Sequence, residues 1–193
     1  MILVIDNYDS FTYNLVHLLA GEDVRVIRND APDLRVQAEL ADGLLFSPGP
    51  GHPSEAGLME ELILRYYKEK PILGICLGHQ AIGEVFGATI CKAPQIMHGK
   101  QSIITCQPTG LFEEMASQQT VMRYHSLMID PASLPEELIV TAESSDGLIM
   151  AIQHQTYPVY GLQYHPESIG TVHGQQLMHA FCKKVGKSHA TTL

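Results

Sequence analysis

The chain lacks several features that would identify its chemistry at once. It has no cysteines or histidines at metal-ligand spacing, no G-x-x-x-x-G-K-[ST] phosphate loop, no basic stripe, and no internal repeat, low-complexity tract or linker. Each absence removes a class of function. The four cysteines, Cys76, Cys91, Cys106 and Cys182, are scattered over 193 residues. That density and length do not describe a disulfide scaffold, and a reducing cytoplasm suits such cysteines best. The formal net charge is −9, with acidic pairs at Glu60-Glu61, Glu113-Glu114 and Glu136-Glu137 that read as solvated surface. A negative chain of this kind is a poor partner for nucleic acid or an anionic membrane. The apolar opening Met1 to Ile5 runs straight into Asp6 with no basic residues before it, so no signal or membrane segment is expected there.

What is present fits one globular domain over 1–193, since hydrophobic residues make up 45% and charged residues 17% of the sequence. Ile2 to Ile5 reads as a buried strand. Ser10 is a candidate N-cap for a helix whose apolar face carries Phe11, Leu15, Leu18 and Leu19 and which Gly21 ends. Asp23 to Arg28 predicts a second strand, Leu34 to Leu40 a helix, and Gly43 to Phe46 a third strand. This βαβαβ pattern implies a parallel sheet with helices on its faces, with function beyond the strands' carboxyl ends. A helix follows over Leu58 to Lys68. After the Leu77 to Phe86 helix come short strands at Thr89 to Lys92, Ser102 to Cys106, Val121 to Tyr124, Leu138 to Ala142, Leu148 to Gln153 and Val159 to Tyr164, without long helices between them. They predict antiparallel additions at one side of the sheet. A last helix is expected from Thr171 to Val185, and 187–193 as a polar, frayed tail.

Gly74-Ile75-Cys76-Leu77-Gly78-His79-Gln80 joins an apolar strand to a helix through a sharp turn. Glycines two positions before and after the central residue give it the form of a nucleophile elbow with cysteine in place of serine. A thiol there stands at a helix N-terminus, where backbone N–H groups favour a thiolate and a developing oxyanion. The bland reading, a small buried cysteine closing a parallel strand, fits the motif equally well when it is taken alone. Ser47-Pro48-Gly49-Pro50-Gly51-His52-Pro53 follows the third strand and has too many prolines and glycines to continue it. It is either a rigid connector or a loop that turns its N–H groups to a ligand beside Cys76.

A cysteine nucleophile needs a base, because an ordinary thiol is only slightly ionised at neutral pH. Among ten histidines, His165 stands out: it ends an apolar strand, Pro166 holds it extended, and Glu167 two residues on falls on the same side. The result is a Cys…His…Glu triad. Taken alone, His-x-Glu fits a surface histidine beside an acid as well. His52, His98 and His154 have no assignable role, and His17, His173, His179 and His189 look like helix-surface or tail positions.

Together, Gly74 to Gln80, Ser47 to Gly51, Arg123-Tyr124-His125-Ser126-Leu127 and Gln163-Tyr164-His165-Pro166-Glu167-Ser168 resemble the signature blocks of class I (triad-type) glutamine amidotransferases, in the family's order and over nearly the whole chain. The opening Asp6 to Asn14 resembles the chorismate-using branch, the glutaminase subunits of anthranilate synthase and aminodeoxychorismate synthase. Pro48 to Gly57 looks more like the anthranilate synthase side. The resemblance implies an α/β, flavodoxin-like single domain, mainly a parallel open sheet flanked by helices with extra antiparallel strands. It implies Cys76, His165 and Glu167 as catalytic residues, backbone N–H groups of Leu77 and Gly51 as the oxyanion hole, and Gly49, Pro50, Gly51, Gln80, Ser126 and Leu127 as holders of L-glutamine. No metal or organic cofactor is implied for this chain, and Mg2+ is expected only in the partner synthase.

The resemblance also implies a partner, a larger chorismate-binding synthase chain that uses the ammonia. Its docking face is expected near Asp6 to Tyr13, Ser47 to Pro53 and Arg123 to Leu127. Two rivals remain at this level, a stand-alone cysteine γ-glutamyl hydrolase and a non-catalytic subunit that keeps the fold.

Overall fold

Runs that are apolar without alternation become the middle of the sheet, because they are covered on both faces. The computed structural model describes residues 1–190, with side chains to Gly186. Its elements in chain order are β1 (Ile2–Asp6), α1 (Thr12–Leu18), β2 (Val24–Arg28), α2 (Leu34–Leu40), β3 (Gly43–Phe46), α3 (Met59–Tyr66), β4 (Ile72–Ile75), α4 (Leu77–Val85), β5 (Ile90–Lys92), β6 (Lys100–Cys106), β7 (Gln118–Arg123), β8 (Leu127–Ile129), β9 (Leu138–Ser144), β10 (Ile149–His154), β11 (Val159–Leu162) and α5 (Gly174–Ala190). Every residue of β1, β3, β4 and β11 is buried.

Nine strands form one sheet in the order β2-β1-β3-β4-β11-β10-β9-β6-β7, and β5 pairs with β8 apart from it. From β2 to β11 all neighbours are parallel, and from β11 to β7 all are antiparallel. The expected parallel core with an antiparallel extension on one side is therefore present. Alternation along the strands splits the core in two. Val4, Leu45, Leu73 and Ile75 pack with Leu15, Leu177, Met178 and Phe181 of α1 and α5. Leu3, Ile5, Leu44 and Phe46 pack with Leu34, Ala38, Leu62, Ile63, Leu77 and Ile82 of α2, α3 and α4 on the other face. The carboxyl ends of β1, β3, β4 and β11 lie side by side, so the residues that follow them, Asn7, Ser47, Cys76 and Gln163, meet at one rim.

Several details differ from what the sequence predicts. Ser10 does not cap α1: the helix starts at Thr12 with no side-chain cap, while Asp9 accepts from the Phe11 N–H and Asp6 accepts from the Asp9 N–H and the Thr12 hydroxyl. Phe11 then falls before the helix and is exposed rather than part of its buried face. The segment after β11 bends instead of staying extended, since Ser168 N–H donates to the His165 carbonyl at 3.3 Å. Finally, α5 begins at Gly174 and runs to Ala190; the tail expected over 187–193 thus overlaps its last turn, and 191–193 lie outside the described residues.

Candidate active site

Cys76 has φ 52° and ψ −97°, a left-handed conformation that a side chain adopts only when its surroundings impose it. Those surroundings are the two glycines. A Cβ on Gly74 would stand 2.3 Å from the Gly78 carbonyl oxygen, and one on Gly78 would stand 2.7 Å from the Phe46 carbonyl oxygen. Only bare glycines let β4 turn directly into α4 with β3 pressed against the turn. Cys76 thus caps α4, whose first-turn N–H groups lack intrahelical partners and have no side-chain cap.

The proline-glycine loop is clamped from beneath. Asn7, buried at the end of β1, donates its backbone N–H to Ser47 Oγ at 2.9 Å and its side-chain N–H to the Ser47 carbonyl at 2.8 Å. Asn29 donates to Asn7 Oδ1 at 3.0 Å, which fixes the amide's orientation. A Cβ on Gly49 would meet Asn7 at 2.6 Å and Leu77 at 2.9 Å, so the loop lies directly over both. Gly51 has φ +82° and is exposed, leaving its backbone free to face a ligand. The loop is rigid and also open on its upper side, which combines the two readings its composition allowed.

His165 and Glu167 come together as expected, by a different route. The bend after His165 brings Glu167 Oε1 to 2.5 Å from His165 Nδ1, with both side chains buried. The backbone here is tied down: His165 N–H donates to the Met122 carbonyl at 3.0 Å, and the Thr171 hydroxyl donates to the His165 carbonyl at 2.6 Å. Burial alone pushes the imidazole pKa down, but the neighbouring Cys76 and Glu167 outweigh it and raise it to about 10. The buried His165 Nε2 has no protein partner within hydrogen-bond distance, the state of a group set to exchange a proton with a ligand. Tyr124 packs edge-on against the imidazole at 5.2 Å between ring centres. A cavity of about 260 Å³ opens beside it, lined by Phe11, Asn14, Tyr124, His165 and Glu167 among others. Asp9 is close enough for the charges of His165 and Glu167 to act on it; burial raises its pKa.

The Arg123 to Leu127 block divides into a buried and an open part. Arg123 and His125 are internal. The Arg123 guanidinium donates to His125 Nε2 at 3.1 Å, and His125 Nδ1 lies 2.9 Å from the Leu127 carbonyl. Burial lowers the His125 pKa to about 4, so the ring is neutral and its tautomer is set by these two contacts. Ser126 is exposed and Tyr124 and Leu127 are half-buried, leaving those three as the residues the block can present to a ligand. Gln80 is buried and donates both side-chain hydrogens inward, to the Leu127 carbonyl at 3.0 Å and to Gln163 Oε1 at 3.2 Å. Its Oε1 is what remains for a substrate N–H. His79 next to it is wholly buried, and burial lowers its pKa to about 3, a neutral core histidine.

The structure brings Cys76, Leu77, His165, Glu167, Gly49 to Gly51, Gln80 and the 126–127 segment to one rim. Residues not singled out by the sequence reading join them: Asn7, Asn29 and Gln163. Each is a buried polar residue just past the end of a strand, and in Asn7 and Gln163, which follow apolar strands, that polar-after-apolar step is the signal the sequence carries. Among the described residues no cluster of histidine, cysteine, aspartate and glutamate is arranged to hold a metal ion, and no helix is long and apolar enough to cross a membrane.

Comparison with known proteins agrees with this geometry. The family described as glutamine amidotransferase class-I matches residues 3–185. The chain is 50% identical over 192 residues to anthranilate synthase component 2 of Lactococcus lactis subsp. lactis, covering 97% of this chain and 96% of that one. It is 45% identical over 190 residues to the aminodeoxychorismate/anthranilate synthase component 2 of Bacillus subtilis, covering 97% and 98% of the two chains. It is 46% identical over 187 residues to the aminodeoxychorismate synthase component 2 of Klebsiella aerogenes, covering 95% and 100%. A solved structure from Thermoplasma acidophilum, described as a GMP synthase subunit, superposes with a TM-score of 0.88 at 26% identity, over 99% of this chain and 96% of that one. The elbow, the loop clamped over it and the match across 3–185 agree: the chain belongs to the class I glutamine amidotransferase family.

Proposed function

We propose that the chain is a glutaminase subunit that hydrolyses L-glutamine through a Cys76 thioester and hands the ammonia to a larger chorismate-using synthase, with anthranilate as the product. The observation that carries the chemistry is Cys76 on its left-handed elbow beside the buried His165–Glu167 pair. His165 takes the thiol proton, and Cys76 sulfur attacks the side-chain amide carbon of glutamine. The resulting oxyanion is met by N–H groups of Leu77 and Gly51. The imidazolium, held charged by Glu167, gives its proton to the amide nitrogen, and ammonia leaves as the thioester forms. Water then gives a proton to His165 and attacks the thioester; glutamate departs and the thiol is restored. Gly49, Pro50, Gly51, Gln80, Ser126 and Leu127 hold the substrate, Gln80 through its free carbonyl oxygen. No step uses a metal or organic cofactor from this chain.

Ammonia released into neutral water is mostly protonated and loses its nucleophilicity, which favours docking of the two active sites. Tyr8, Phe11, Tyr13, Ile169 and Val172 are exposed apolar residues around this rim, more apolar surface than an unpartnered rim requires. Phe11 touches Tyr124, which packs on His165, so a partner seated there reaches the imidazole through two rings. Arg123 and His125 are buried and contribute no surface, which removes them from the expected docking face. The free cysteines suit a reducing cytoplasm. Relatives named for aminodeoxychorismate synthase at similar identity support a second reading, in which the product enters that branch instead.

The test is incubation with a diazo-ketone analogue of glutamine followed by mass spectrometry. An adduct at Cys76, together with loss of glutamine-dependent but not ammonia-dependent synthesis in Cys76→Ala paired with a synthase chain, is expected. Absence of the adduct would overturn the reading, and pairing with each type of synthase chain decides the product.

A further inference from the structure

Gln163 has no part in the mechanism above, yet no side chain is better buried: it is 0% exposed and sits against the reacting sulfur. The sheet puts it there. β4 and β11 pair in parallel with Ile75 opposite Leu162, and the Cys76 N–H donates to the Leu162 carbonyl at 2.7 Å. The next residue along β11 is therefore delivered beside Cys76, and its own N–H is anchored to the Met150 carbonyl at 2.9 Å. Gln163 Nε2 lies 3.6 Å from Cys76 Sγ, within reach of a hydrogen bond to sulfur.

An amide side chain has a donor end and an acceptor end, and which one faces the sulfur decides its effect. Here the direction is imposed from outside. The Leu127 carbonyl can only accept, so Gln80 must turn its Nε2 toward it. The same Nε2 meets the Gln163 side chain, which must answer with Oε1. Nε2 of Gln163 is then left for the sulfur. Donation runs one way along the path from Gln163 to Cys76, and the Leu127 carbonyl sets its sense.

Resting on the reading of Cys76 as the nucleophile, we propose that Gln163 is a further catalytic residue, whose amide N–H donates to the Cys76 sulfur and favours its thiolate. An amide does not ionise in this range, so the donor stays in place while His165 moves its proton between sulfur, leaving nitrogen and water. The division of labour is clear: His165 transfers, Gln163 stabilises. Because Gln80 orients Gln163 and is also one of the proposed glutamine-holding residues, the same path would link substrate seating to the state of the sulfur.

The experiment measures alkylation of Cys76 by iodoacetamide across pH, located by mass spectrometry, in the intact chain and in Gln163→Met and Gln80→Met, with thermal unfolding as the control for folding. No glutamine and no partner are needed, and His165, whose charge acts on Cys76, and Glu167 beside it are unchanged in both variants. Gln163→Met keeps the length of the side chain and removes the donor. Its Cys76 should react about tenfold more slowly near pH 6.5, with the profile displaced about one unit upward, the scale of one charge-assisted hydrogen bond. Gln80→Met should move the profile the same way by less. A folded Gln163→Met with an unmoved profile would overturn the inference while leaving Cys76 as the nucleophile. Should Gln163→Met fail to fold, Gln80→Met decides, and an unmoved profile there overturns the inference too. If Cys76 of the intact chain reacts no faster than an ordinary thiol, the reading of the nucleophile falls and the inference with it.

Discussion

Gly74→Ala is the substitution for which the structure leaves least room. The added Cβ would stand 2.3 Å from the Gly78 carbonyl oxygen, 2.4 Å from its carbon and 2.8 Å from the His79 nitrogen. All three are backbone atoms in the first turn of α4, which cannot rotate aside as a flexible side chain can. Ordinary contact begins near 3.4 Å, so the turn must move by about 1 Å. Overpacking of this kind costs about 1–3 kcal/mol. The same shift carries Leu77 N–H and Cys76 with it, and a displacement of about 1 Å at reacting groups costs on the order of 10²-fold in rate. Urea unfolding gives the first quantity, and glutamine-dependent synthesis with a synthase chain gives the second. Gly186→Ala is the control: nothing lies within 4 Å of its added Cβ, and in a helix the change should stabilise by up to about 1 kcal/mol with no effect on rate. A Gly74→Ala chain with wild-type stability and rate would refute the idea that the elbow is held by backbone contact.

Two other predictions concern charge. The His165 pKa is raised above that of the unfolded chain, to about 10, so its contribution to stability is full below about 6.5 and is lost as pH rises toward 10. Glu167→Gln removes one of the groups that raise it, and the variant should lose less stability than the parent between pH 6 and pH 10; parallel urea midpoints for the two chains would contradict this. Lys70 donates to the carbonyls of Ala38, Glu39 and Ala41 at 2.8, 2.6 and 2.6 Å, closing the end of α2 from another element. Lys70→Met should destabilise by about 1–3 kcal/mol without altering Cys76 reactivity, measured by urea unfolding and alkylation.

The parallel half of the fold was legible because β1, β3 and β4 are continuous apolar runs set off by glycine, proline and aspartate. β8 was not, since three residues starting at the last position of a signature block carry no periodicity, and it pairs with β5 away from the main sheet. β7 starts three residues earlier than its apolar pattern because Gln118, Gln119 and Thr120 pair with β6 through backbone alone. Cys76, His165 and Glu167 were readable as residue types, but the route from His165 to Glu167 was not: a turn and an extended segment can both place i and i+2 together. Asn7 and Gln163 escaped for a different reason. A polar residue after an apolar strand is also how strands end at water, and only the sheet order shows that these two end inside the protein.

That sheet order has a consequence for the chain as it is made. Residues 2–75 emerge before β11 and supply β2, β1, β3 and β4, a four-strand sheet that can assemble by itself. The outer edge of β4 stays unpaired until β11 at 159–162 arrives. For that interval an apolar, fully extended edge is open to any other strand. Chains cut short before residue 159 should therefore self-associate. On the proposed mechanism, the same delay keeps the thiol of a nascent chain without its histidine, so such a chain should not act on glutamine before its sheet has closed.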